Sequence, residues 1–140
     1  MKNILTTIFF ISISCNIISE NINYGKDECY SCRMLIVDPK FGGTIINKNQ
    51  KTYKFDSVEC TIDFLKENRS IIIKEIFVVD YQNPGLLIRA NESGFLINKK
   101  RPSPMGGNIS AYNNSYEVER VKKSIGGTIY KWDVLLNTVI

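Results

Sequence analysis

Apolar residues in this chain switch from a period of two to a period near 3.6 and back, and they do so twice. Thr44 to Lys48 and Lys51 to Phe55 flank the turn pair Asn49-Gln50, with Tyr53 and Phe55 on one face, which predicts a β-hairpin. Asp56 or Ser57 then offers a helix N-cap, with Glu59 in capping-box spacing after Asp56. Val58, Ile62 and Leu65 follow as one apolar helical face that ends at Asn68, and Glu75 to Asp80 is a short apolar run suited to a buried strand.

The second unit opens after Asn83-Pro84-Gly85. Leu86 to Ala90 and Phe95 to Ile97 flank a turn at Asn91-Glu92-Ser93-Gly94, and Asn108 to Tyr112 is a further strand. A helix starting at Asn114 or Ser115 buries Val118, Val121 and Ile125, and Gly126-Gly127 end it in the left-handed manner. Thr128 to Leu136 closes the unit as a strand, with Ile129 and Trp132 available to the core. The expected fold class is α+β, two ββαβ-like units, and neither unit alone buries enough apolar area to stand without the other.

The N-terminus is of another kind. Met1-Lys2-Asn3 is a short positive segment, and the ten-residue apolar run Ile4 to Ile13 is too short for a membrane span, which needs about 20 residues. The run closes at Ser12-Ile13-Ser14-Cys15, which resembles a lipobox, although Ser12 stands where leucine is usual. The expected organisation is a signal peptide over residues 1–14, a lipidated tether over 15–22 with Cys15 as the modified residue, and one domain over 23–140. Such a chain is exported and anchored to a membrane, facing the periplasm.

Composition excludes more than it suggests. The chain contains no histidine, which removes the commonest general base, every Ser-His or Cys-His pair and every histidine-based zinc site. A net charge of +4 is mild, and its lysines and arginines form no stripe interleaved with aromatics, so no nucleic-acid partner is expected. Sulfur is what remains. Cys29-Tyr30-Ser31-Cys32-Arg33-Met34 packs two thiols and a thioether into six residues, and soft donors of this kind select copper(I) over hard cations. Met105 stands between Pro104 and Gly106, in a loop where no apolar periodicity calls for it, and joins them as a candidate ligand. Cys60, near the start of the first helix, faces either the core or the cluster, as an additional ligand or a redox partner. Cys29 and Cys32 could equally close as a disulfide in an oxidising compartment. A structural zinc site would need a fourth ligand beyond Cys29, Cys32 and Cys60.

Four blocks in order, Ile22 to Met34, Phe55-Asp56-Ser57-Val58-Glu59-Cys60, Phe77-Val78-Val79-Asp80-Tyr81 and Ser103-Pro104-Met105-Gly106, resemble the NosL proteins in their cysteine-rich form. The resemblance spans about residues 22 to 136. It implies a copper(I)-binding accessory lipoprotein, with no enzymatic turnover, that serves the copper sites of nitrous oxide reductase. It also implies a fold of two ββαβ units and a ligand set of Cys32, Met34 and Met105. Cys29 departs from the simplest C-x-M block, so its role as ligand, disulfide partner or both stays open. The partners expected are a copper ion, a copper-enzyme client or its maturation machinery, and the membrane through the lipid anchor. The competing readings are a thiol-disulfide oxidoreductase acting through Cys29 and Cys32, and a structural lipoprotein stapled by that pair.

Overall fold

The structure, a computed structural model, describes residues 21–138; the expected signal peptide, Cys15 and most of the tether lie outside the described residues. Strands β1 (Gly43–Asn47) and β2 (Thr52–Phe55) form the first hairpin, followed by helix α1 (Val58–Glu67), strand β3 (Ile73–Val79) and strand β4 (Leu87–Arg89). A 3-10 turn at Ala90–Glu92 leads to β5 (Gly94–Ile97), β6 (Ile109–Tyr112), helix α2 (Ser115–Ile125), β7 (Thr128–Lys131) and helix α3 (Trp132–Thr138). The sheets run β2-β1-β3-β4 and β6-β5-β7, with antiparallel neighbours throughout. This is the α+β repeat of two ββαβ units, each with its helix laid on its sheet.

The repeat shows in its details. Both helices begin with a side-chain cap three residues upstream of the N–H it accepts: Ser57 Oγ takes the Cys60 N–H at 3.2 Å, and Asn114 Oδ1 takes the Glu117 N–H at 3.0 Å. In both, the central strand opens on a glycine where the helix crosses. A Cβ at Gly43 would fall 2.7 Å from Thr61 Oγ1, and one at Gly94 would fall 2.5 Å from Val118 Cγ1. Only glycine lets helix and strand approach so closely.

Several boundaries differ from expectation. Leu87–Arg89 does not form a hairpin with Phe95 to Ile97; it pairs with Phe77–Val79 in the first sheet. β5 already has β6 on one side and β7 on the other, so β3 offers the free edge. The closing segment is a strand only to Lys131, and Trp132 onward is helical. β5 begins at Gly94, opposite Lys131, and past that pair no strand lies beside β7 to satisfy an extended backbone, whereas a helix bonds its own. At α1, Ser57 is the one of the two offered residues that caps the helix, and Glu59 turns inward instead of completing a capping box with Asp56. Leu65 and Ile125, expected on the buried faces, are half-buried; Phe64 goes into the core alongside Ile62. Gly126 ends α2 at φ 80° and ψ −167°, a conformation essentially open to glycine alone, not the left-handed helical one.

A middle layer joins the two units. Val58, Ile62, Val78 and Ile88 from the first meet Phe95, Ile109, Ala111 and Leu135 from the second. The backbone joins them too, through a parallel bridge at Asp80 and Ala111 with Tyr81 N–H donating to the Ala111 carbonyl (2.9 Å). Among the described residues no helix is long and apolar enough to cross a membrane.

Candidate metal centre

The segment before β1 folds back on itself. Gly25 N–H donates to the Ile36 carbonyl (2.8 Å), Ile36 N–H to Asp27 (2.9 Å) and Cys29 N–H to Met34 (2.8 Å), with an antiparallel bridge between Glu28 and Leu35. The reversal is completed by Arg33, at φ 64°, whose N–H donates to the Cys29 carbonyl (3.0 Å). A non-glycine residue with positive φ is uncommon and needs support. Here the Arg33 guanidinium lies 5.0 Å from the centroid of the Tyr30 ring, which itself packs edge-on against Tyr53 and Phe64. The turn is fastened to the first sheet by Tyr30 N–H to the Lys54 carbonyl (2.9 Å) and by the Lys54–Asp27 ion pair (2.8 Å).

Cys29 and Cys32 therefore sit on one tight turn, and α1 brings the third sulfur. Cys60 occupies the first turn of that helix, and Ser31 Oγ donates to its carbonyl oxygen at 3.0 Å. The three Sγ atoms all lie within 4.8 Å of one another, and no disulfide joins them. Cys29 and Cys60 are sealed from solvent at 0% and 1% exposure, whereas Cys32 stands partly open. The cluster thus has a closed floor and one accessible edge.

The sulfurs are electrically unequal. Cys29 is pulled down to about 5, chiefly because the Cys60 thiol donates to it; burial opposes this, and the N–H groups of Cys32 and Asp56 add to it. Cys60 is pushed up, first by donating to Cys29 and then by burial, and Cys32 is pushed up by burial and by the neighbouring Cys29. The Cys32 sulfur accepts the Met34 N–H. One thiolate held by two thiols is the result. A buried carboxyl, Asp56, lies beside it. Asp56 is raised to about 6 by burial, then by the charges of Cys29, Asp38 and Glu59, and Asp56 Oδ1 and Glu59 Oε2 have no hydrogen-bond partner.

This donor set fits one soft ion. Three thiolates around an ion at about 2.3 Å, the zinc–thiolate distance, stand roughly 4 Å apart. Sulfurs within 4.8 Å need to close by less than an ångström. Thiolate sulfur itself is a poor ligand for a hard cation.

Met34 follows on the same turn, with its side chain 45% exposed, and Met105 is 42% exposed. Met105 occupies a turn closed by Gly106 N–H to the Ser103 carbonyl (3.0 Å). The Ser103 hydroxyl donates to Glu59 Oε1, one residue before Cys60, so this turn is docked on the cysteine-bearing helix. Sequence reasoning placed neither Glu59 nor Ser103 in the site. Both lie in the blocks that carry the NosL resemblance, but the role read for Glu59, at capping-box spacing, was another one.

No curated protein matches the chain. Among solved structures, the copper chaperone NosL from Shewanella denitrificans has the same fold, with a TM-score of 0.70 and 24% identity over 83% of this chain and 93% of that one. The family model for NosL matches residues 23–140, and the chain accordingly belongs to the NosL family.

Proposed function

We propose that this protein is an exported copper(I) carrier that takes up one ion on its sulfur cluster and hands it to an envelope copper enzyme such as nitrous oxide reductase or to that enzyme's maturation machinery. The observation that carries the reading is the convergence of three thiols within 4.8 Å at a partly open edge. Cys29 and Cys32 are the anchoring ligands, Cys60 stands ready as a further one, and Met34 and Met105 complete the set from the solvent side. Exposed thioethers suit a carrier, because a weak neutral donor yields readily to an acceptor's ligand. No turnover is involved, and the ion is cargo. Cys15 carries the lipid that keeps the domain at the periplasmic membrane surface, and a Cys15→Ala chain should leave the membrane fraction or stay unprocessed.

The test is a competition titration of the reduced protein with copper(I) against a chromogenic chelator. We expect about one ion per chain, with the largest loss of affinity for Cys32→Ser and a smaller one for Met105→Leu. A reduced protein that never takes copper(I) from the chelator would overturn the reading. Thiol–disulfide exchange with client cysteines is the competing function. The low-lying Cys29 thiolate beside two thiols favours it, and it predicts that removing Met34 and Met105 changes nothing.

A further inference from the structure

The loop that carries Met105 is unusually well built for an exposed excursion between two strands. Asn98 N–H donates to the Asn108 carbonyl (3.0 Å) and closes its base. Pro104 and Met105 are the central residues of the turn that Gly106 N–H closes onto Ser103, and proline favours the first of those positions. The Asn108 side-chain amide donates to the Gly106 carbonyl (3.0 Å). The turn is therefore internally bonded and behaves as one piece.

This piece is attached to the rest of the molecule at Glu59. Ser103 is buried, accepts the Asn108 N–H on its oxygen (2.8 Å) and gives its own proton to Glu59 Oε1. On the other side of the turn, a Cβ at Gly107 would lie 2.6 Å from the same Oε1 atom and 2.7 Å from Glu59 Cγ, so the backbone at Gly107 rests directly on the Glu59 side chain. Glu59 is 7% exposed, which is a costly place for a glutamate, and its Oε2 has no partner. The helix cap is supplied by Ser57, and Glu59 forms no ion pair among the described residues. Its neighbour in the chain is Cys60.

We infer that Glu59 is a positioning residue for the metal site, a latch through which Ser103 and Gly107 hold the Met105 turn in register with the first turn of the cysteine-bearing helix. The inference rests on the copper reading of the cluster. Met105 is a weak donor on an exposed turn, and its contribution depends on being delivered to the sulfur cluster already oriented. Residues behind the ligands that fix such orientation contribute materially to metal affinity. Glu59 offers an acceptor and a buried surface, and its partner Ser103 is uncharged, so a neutral acceptor of the same shape can serve the latch.

A double-mutant cycle on the reduced full chain reads this out, with copper(I) competition against a chromogenic chelator as the assay and thermal unfolding followed in parallel. Glu59→Ala is expected to weaken copper(I) binding by about tenfold, the low end of what outer-shell partners contribute. The same substitution in a Met105→Leu background should cost nothing further. Glu59→Gln keeps an acceptor for Ser103 and should restore most of the affinity, and Ser103→Ala, a milder change to the fold, should reproduce the loss. Equal losses with and without Met105 would overturn the latch and assign Glu59 to the cysteines alone, as would a Glu59→Gln variant as weak as Glu59→Ala. A parent chain that binds no copper(I) would defeat both the latch and the copper reading; a parent that binds, with variants that match it, would defeat the latch only.

Discussion

Ser31 Oγ donates a 3.0 Å hydrogen bond to the carbonyl oxygen of Cys60, across 29 residues of chain. That bond spans the seam between the Cys29–Cys32 turn and helix α1, the two supports of the sulfur cluster. A Ser31→Ala chain should lose about 1 kcal/mol of stability, the net worth of one such bond. It should also bind copper(I) a few-fold more weakly, because the seam sets how far the sulfurs must close. Urea unfolding and chelator competition on the same samples check both.

Cys60 promotes the charge on Cys29, since its thiol is the main group that lowers the Cys29 pKa. In the reduced, metal-free protein, thiolate ultraviolet absorbance should titrate in the acid range, near pH 5. Cys60→Ala removes the donor and should move that step to higher pH. An unmoved step would show that the backbone N–H groups of Cys32 and Asp56 suffice.

Asp27 stabilises the N-terminal turn most above its unfolded ionisation. Burial pushes its carboxyl up, but hydrogen bonds from Lys54 and from the Asn23 N–H outweigh that and hold it below the usual range. The sign follows from linkage: the depressed carboxyl contributes stability above its unfolded value of about 3.9, and the contribution disappears as pH falls through the folded value. Parent and Asp27→Asn should therefore differ in Tm at pH 7 and converge in acid. A constant gap across pH would assign the effect to packing.

Leu135 anchors the C-terminal helix α3 to the core. It is fully buried in the layer between the two units, while Val134 is about half exposed. Leu135→Ala should cost roughly 2–5 kcal/mol and Val134→Ala within about 0.5 kcal/mol, as measured by denaturant midpoints.

Local chemistry was legible in the residues themselves. Asn49-Gln50 between alternating strands placed the first hairpin, and Gln50 does take the positive φ of a turn (63°). Ser57, Asn68, Asn114 and Gly126 bounded the helices, because caps and terminators act within one turn of the backbone they satisfy. The absence of histidine and the clustering of sulfur likewise narrow the chemistry on composition alone.

Tertiary structure decided what periodicity cannot encode. An apolar strand such as Leu87–Arg89 records which face is buried and not which sheet has a free edge, so its partner, β3, emerged only when β5 had both sides filled. Trp132–Thr138 became a helix because the strand beside it ended. Cys60 and Glu59 are adjacent in sequence yet had opposite prospects, a small thiol suited to any core and a carboxylate suited to water. Both turn inward because the first turn of α1 packs against the Cys29–Cys32 turn on one side and the Ser103 loop on the other, neighbours that are distant in sequence.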